Sequence, residues 1–256
     1  MSRNMGIGVG MKVFVYSKKG SKKDICEDSA IVDGHIISDS YSDEQIDSDY
    51  IIAIADGVGG NAGGDMASRY VLTELKDIKL EDISEEKISQ YIKAIHKDLL
   101  DYAAEIPEKK AMATTLSGII GIHDTCYIFH VGNTRIYGLQ GNYLKQYTKD
   151  QTTYQWLLSR GQIEEADRCN KNEITNCIGG GNLKYADSLY AKKCVALDRC
   201  KRILLSSDGI HEYVSIDDLE DFILGEISEE TMKVLVNKAE ENGSNDDKTV
   251  IVIDRM

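Results

Sequence analysis

The sequence predicts an α+β fold, and three observations carry the prediction. Apolar, β-branched runs and amphipathic helical pairs fall in separate stretches of the chain and do not alternate as βαβ units. Hydrophobic residues make up 42% of the 256 residues, enough to bury a sizeable core. A lone proline, Pro107, and the absence of a Ser/Gly/Pro-rich linker predict one continuous domain over residues 1–256.

Residues 1–10 read as a flexible leader. Their glycines neither follow a strand nor open a helix, as a dinucleotide-binding loop requires. Residues 11–16 and 29–33 predict strands flanking a loop that carries Lys23, Glu27 and Asp28, and residues 50–55 predict another. The polar, acidic stretch 38–48 reads as a hairpin loop. Residues 64–76 place Ala67, Val71 and Leu75 on one helical face. A second helix starts near Ser84, with Ile88, Tyr91, Ile92, Ile95 and Leu99 at helical spacing. Over 113–146 the period changes to that of strands at 116–122, 125–131, 135–139 and 143–147, with turns at His123-Asp124 and Gly141-Asn142, which predicts an antiparallel meander. Residues 151–160 and 163–168 read as short helices and 170–182 as an irregular Gly- and Asn-rich stretch. Strands are expected at 188–196, 202–205 and 249–253, and helices at 216–224 and 229–241.

Acidic residues cluster at the ends of these strands, in Glu27-Asp28, Asp56-Gly57-Val58-Gly59-Gly60, Ser207-Asp208-Gly209 and Asp246-Asp247-Lys248-Thr249. Carboxylates at strand ends can converge. Gathered where water is scarce, they resist ionising unless cations neutralise them, and Mg²⁺ or Mn²⁺ are the hard ions suited to an all-oxygen set. The formal charge of −13 disfavours nucleic acid and anionic membrane as partners. No apolar run of transmembrane length and no signal-peptide pattern is present, which predicts a cytoplasmic protein. Six cysteines contain no Cys-x-x-Cys pair and read as reduced thiols, and five scattered histidines form no paired-ligand motif.

Seven segments in order carry a family resemblance: Lys23-Asp24-Ile25-Cys26-Glu27-Asp28, Asp56-Gly57-Val58-Gly59-Gly60, Ala113-Thr114-Thr115-Leu116, Val131-Gly132-Asn133-Thr134-Arg135-Ile136-Tyr137, Tyr147-Thr148-Lys149-Asp150-Gln151-Thr152, Leu204-Leu205-Ser206-Ser207-Asp208-Gly209, and Gly243-Ser244-Asn245-Asp246-Asp247-Lys248-Thr249. The chain resembles the metal-dependent serine/threonine protein phosphatases of the PP2C (PPM) family, in their compact bacterial form. The resemblance implies two antiparallel sheets packed face to face and flanked by helices, with a flap over residues 151–185. It implies hydrolysis of phosphoserine and phosphothreonine by direct attack of a water bridging two Mn²⁺ or Mg²⁺ ions. Asp56 would bridge the ions, the Gly57 carbonyl, Glu27, Asp208 and Asp246 would be direct ligands, and Asp28 would act through ordered water. Lys23 stands where the family has a phosphate-binding arginine, offering a point charge in place of a bidentate fork; Lys22 is the neighbouring alternative. Val58 replaces a histidine found in many animal and plant members. Asn133 stands where an aspartate helps hold a third metal, which puts that ion in doubt, and Asp247 stands where asparagine is usual. Phosphorylated proteins, with a cognate Ser/Thr kinase or its substrates, are the implied partners. Two alternatives are a catalytically inactive binding module of the same fold and a phosphatase dedicated to one regulatory protein.

Overall fold

The computed structural model describes residues 10–58, 63–123, 125–180 and 190–255. In chain order the strands are β1 (Met11–Lys18), β2 (Asp28–Val32), β3 (His35–Ile37), β4 (Tyr41–Ile46) and β5 (Tyr50–Asp56), followed by helices α1 (Gly64–Lys76) and α2 (Glu85–Ala104). Strands β6 (Ala113–Thr114), β7 (Leu116–Ile122), β8 (Thr125–Val131), β9 (Arg135–Gln140) and β10 (Tyr143–Gln146) precede α3 (Thr153–Ser159), α4 (Ile163–Arg168) and β11 (Ile178–Gly179). The chain closes with β12 (Tyr190–Lys193), α5 (Val195–Asp198), β13 (Arg202–Ser206), α6 (Asp208–His211), α7 (Ile216–Leu224), α8 (Glu229–Glu241) and β14 (Lys248–Arg255).

Two six-stranded antiparallel sheets form the centre. One runs β10-β9-β13-β14-β1-β4 and the other β12-β8-β7-β5-β2-β3. Side chains on successive strand positions point to opposite faces, so a strand covered on both sides buries every residue. In β14, Ile251 and Ile253 enter the core between the sheets while Val250 and Val252 pack towards α7 and α8. In β5, Ile52 and Ile54 face the same inter-sheet core while Ile51, Ala53 and Ala55 meet α1 and α2. The order of layers is therefore helices, sheet, sheet, helices, as the resemblance implied. The helices follow their predicted faces: Ala67, Val71 and Leu75 of α1 are buried, and Ser84 caps α2 by accepting from the Lys87 N–H.

Three expectations are corrected. The acidic stretch 38–48 is not a loop: β4 lies within it and pairs with β1. It is the edge strand, with only Ile46 buried, so its polar residues face water while its backbone satisfies β1; Lys12 and Asp43 form a 3.3 Å ion pair across the two. Strands 7–10 are not one meander. Strands β7 and β8 pair in one sheet and β9 and β10 in the other, and the chain crosses at Gly132-Asn133-Thr134. Gly132 has φ +105° and a Cβ there would lie 2.6 Å from the Thr115 side chain, so this crossing needs glycine. The strand expected over 188–196 is shorter: β12 pairs with β8, and Val195 already opens α5. Residues 188–189, 1–9, Gly59, Gly60, Asp124 and positions 181–185 of the expected flap lie outside the described residues.

Candidate metal centre

Both sheets deliver carboxylates to one end of their seam. Asp28 opens β2 directly opposite Asp56, the last residue of β5. In the other sheet β13 ends at Ser206, and Ser207 then leads into Asp208 at the start of α6. The Ser207 N–H donates to the Thr249 carbonyl at 2.9 Å, which ties this corner to β14, and Asp246 lies just before that strand. Asp56 is held by its backbone: its N–H donates to Thr115 Oγ1 at 3.0 Å, and its carbonyl accepts from the Thr115 N–H at 2.8 Å and Thr114 Oγ1 at 2.9 Å. Ser207 Oγ bridges the sheets by donating to Asp28 Oδ2 at 2.8 Å while accepting from the Thr249 N–H.

Lys23 is the cation of this cluster. Its Nζ lies 3.0 Å from Glu27 Oε2, 2.6 Å from Asp246 Oδ1 and 3.0 Å from Asp247 Oδ2. Burial opposes the ammonium, but these three carboxylates outweigh it and push the Lys23 pKa up. Lys22, the alternative, is exposed. Asp247 proved more structural than its position suggested. It is buried and accepts from the Gly20 N–H at 2.7 Å and the Glu27 N–H at 2.7 Å as well as from Lys23, so it folds the whole 20–27 loop onto the seam. The doublet Asp246-Asp247 before an apolar run is the sequence signal for it.

Burial pushes the Asp28 carboxyl up to about 7, with further repulsion from Asp247 and Asp208 against stabilising hydrogen bonds from Thr249 and Ser207. Burial and Asp246 push Asp208 up to about 6, opposed by the Asn133 amide, which donates to Asp208 Oδ2 at 3.0 Å. Asp56 is raised by burial and by Asp28, Asp208 and Asp246. Asp28 Oδ1 is also buried without a hydrogen-bond partner. Among the described residues no three of these groups form a ready-made cage about one point. Yet an all-oxygen, mutually repelling set, with Asp28 buried and carrying an unused carboxylate oxygen and Asp56 and Asp208 half-buried, fits hard divalent cations.

These shifts have a sign that can be measured. An acid whose folded pKa lies above its unfolded value holds extra protons when folded, so its contribution to stability falls as pH rises between the two values. Burial keeps His96, His130 and His211 neutral, which adds stability over an overlapping range, so the carboxylate effect must be read as a difference. Metal-stripped wild type should lose melting temperature relative to metal-stripped Asp28→Asn as pH rises from about 4 to about 7. A gap independent of pH, followed by scanning calorimetry, would contradict the electrostatic account.

Gly57 shows why this corner tolerates no side chain. A Cβ there would lie 2.5 Å from the Gly64 carbonyl oxygen and 2.8 Å from that of Glu27, both rigid backbone. Gly57→Ala is expected to destabilise the fold by about 1–3 kcal/mol and to displace Glu27, checked by denaturant unfolding and Mn²⁺ titration. Wild-type stability and metal affinity in that variant would refute the close approach.

The remaining motifs support this corner. Arg135 grips Asp150 with Nε and Nη2, and its Nη2 also reaches Glu212 at 3.0 Å, tying β9 to the segment after α6. A two-layer sheet sandwich thus gathers a carboxylate cluster around Lys23 at its seam, the donor set of a candidate metal centre.

Comparison with known proteins agrees. The family model described as Protein phosphatase 2C matches residues 26–247, and the chain belongs to that family. A serine/threonine phosphatase of Listeria welshimeri is 30% identical over 223 residues, covering 83% of this chain and 87% of that protein. The crystal structure of a serine/threonine phosphatase from Staphylococcus aureus superposes with a TM-score of 0.80 at 26% identity, over 99% of this chain and 98% of that one. The catalytic domain of the phosphatase PstP, in complex with two manganese ions, gives a TM-score of 0.74 at 26% identity, over 95% of this chain and 98% of that chain.

Proposed function

We propose that Glu27, Asp28, Asp56, Asp208, Asp246 and the Gly57 carbonyl hold two divalent ions, Mn²⁺ or Mg²⁺, and that Lys23 engages the substrate phosphate. The chain is a metal-dependent serine/threonine protein phosphatase acting on phosphoproteins. The observation that carries the residue assignment is the pairing of buried Asp28 with half-buried Asp56 across neighbouring strands, with Asp208 of the other sheet close enough to repel both. Bound there, two ions supply a nucleophilic water at neutral pH and charge for the phosphoryl oxygens.

The chain's own residues do the rest. Thr114 and Thr115 hold the Asp56 backbone and Ser207 holds the Asp28 carboxylate, so both positions are set before loading. Lys23 holds Glu27 and Asp246 near each other and exchanges these partners for phosphate oxygens when substrate arrives. Val58 has no proton to give, so no side chain at that position protonates the leaving alcohol. Asn133 donates to Asp208 where a carboxylate would repel it, so this position offers a third ion only a neutral oxygen.

No helix among the described residues is long and apolar enough to cross a membrane. All six cysteines are free, which supports a reducing, cytoplasmic setting; hydrolysis of phosphoserine and phosphothreonine would set the enzyme opposite a cognate Ser/Thr kinase. The test is turnover of phosphothreonine peptides by stripped protein before and after Mn²⁺ or Mg²⁺ is restored. Equal turnover in both states would overturn the reading.

A further inference from the structure

We propose that the groove between α7 and α8 docks a short, basic amphipathic helix carried by a phosphoprotein substrate. The substrate role rests on the phosphatase reading; the docking itself rests on the groove.

Residues 215–241 carry nine acidic and two basic side chains, a net −7 of the chain's −13. The concentration is local to the helix pair that covers one sheet. Asp218 near the start of α7 meets Lys238 near the end of α8 at 2.5 Å, so the helices are antiparallel, and a groove of about 360 Å³ lies between them. Its walls have helical spacing on both sides. α7 contributes Asp218, Asp221, Phe222 and the following Gly225, while α8 contributes Thr231, Val234, Leu235 and Lys238; each set runs i, i+3, i+4, i+7. Such parallel stripes are what a third helix lays its own ridge into, over roughly 10 Å or two turns.

The chemistry of the floor and rim selects the occupant. Val234 is 62% exposed and lies beside half-buried Phe222, an apolar floor open to water. Asp221 and Glu226 stand exposed on the rim with no ion pair among the described residues, whereas Asp218 is already matched by Lys238. The complement is an apolar helical stripe edged with lysine or arginine. The same rim repels phosphate backbones and anionic lipid. Both helices lead back to the metal centre: α7 follows α6, which Asp208 opens, and α8 runs into the loop bearing Asp246. A docked segment would thereby raise the local concentration of a phosphosite on the same chain.

The test uses full-length protein and a fluorescent synthetic helix of leucines at i, i+3, i+4, i+7 with lysines elsewhere, alongside a counterpart with glutamates for lysines. In anisotropy titrations at low salt, wild type should bind the lysine helix at least about tenfold tighter than the glutamate helix. Val234→Ser should weaken it roughly three- to tenfold by removing apolar contact. The pair Asp221→Asn/Glu226→Gln should weaken it similarly, whereas Asp98→Asn/Asp101→Asn, which removes equal charge from exposed positions of α2, should not. Equal affinity for both helices, no loss on changing the groove, or equal loss in the α2 control would overturn the proposal. In the kinetic arm, a phosphothreonine peptide linked to the lysine helix should show a lower KM than the unlinked peptide at unchanged kcat, and the advantage should vanish in Val234→Ser. A KM advantage that persists in that variant, or none in wild type, would overturn the substrate role. Absence of metal-dependent turnover of a simple aryl phosphate would instead refute the phosphatase reading, leaving the titrations to judge the groove.

Discussion

Asp56→Asn is expected to lower metal-dependent turnover of phosphothreonine peptides by at least ~10²-fold, because it removes a charge from the centre of the metal-holding set. Asparagine has nearly the same shape, and the contacts holding Asp56 use backbone atoms with Thr114 and Thr115, so the fold should persist. The same substitution also relieves repulsion with Asp28, Asp208 and Asp246. The metal-stripped variant should therefore melt higher than metal-stripped wild type while gaining less from added Mn²⁺. Opposite signs for activity and stability separate a ligand from a residue that merely packs. Unchanged turnover, or full wild-type activity in excess chelator, would exclude Asp56 from the chemistry.

Lys23→Ala should reduce kcat/KM by roughly 10–10²-fold, mainly through KM, since hydrogen bonds to a charged partner are worth that much when lost. Lys23→Arg should preserve or improve KM by restoring a bidentate fork. The structure adds a second readout. Nζ pairs with Glu27, Asp246 and Asp247 and offsets part of their mutual repulsion, so metal-stripped Lys23→Ala should melt lower than metal-stripped wild type, and Mn²⁺ should recover most of the loss. If Lys23→Ala leaves kinetics and stability intact while Lys22→Ala impairs turnover, the phosphate contact belongs to the exposed neighbour instead.

Much of this architecture was legible in residue order. Helices Gly64–Lys76, Ile216–Leu224 and Glu229–Glu241 follow from periodicity, because each buries one regular set of apolar side chains, whereas strands such as Leu116–Ile122, covered on both faces, show as short apolar runs bounded by turns. The acidic segments were visible for a related reason: an Asp beside glycine at the end of an apolar run is a local pattern. Strand β4 escaped because an edge strand that is solvated on most positions has the composition of a loop. The split of strands 7–10 between two sheets escaped because hairpin spacing specifies pairing only between neighbours, and β8 and β9 have no local signal for parting company.

Local chemistry thus specified which residues could ligate a metal and which faces had to be buried, since both depend on side-chain type and spacing along a few turns or pleats. Which carboxylates share a corner, that Lys23 and not Lys22 sits among them, and that Asp247 anchors the 20–27 loop were settled by long-range pairing. Asp28 meets Asp56 through strand register, and Asp208 joins them because Ser207 and Thr249 lock the second sheet's corner to the first. The physical reason is that burial, and with it the raised pKa values and the demand for a cation, arises only when two sheets close over the same seam.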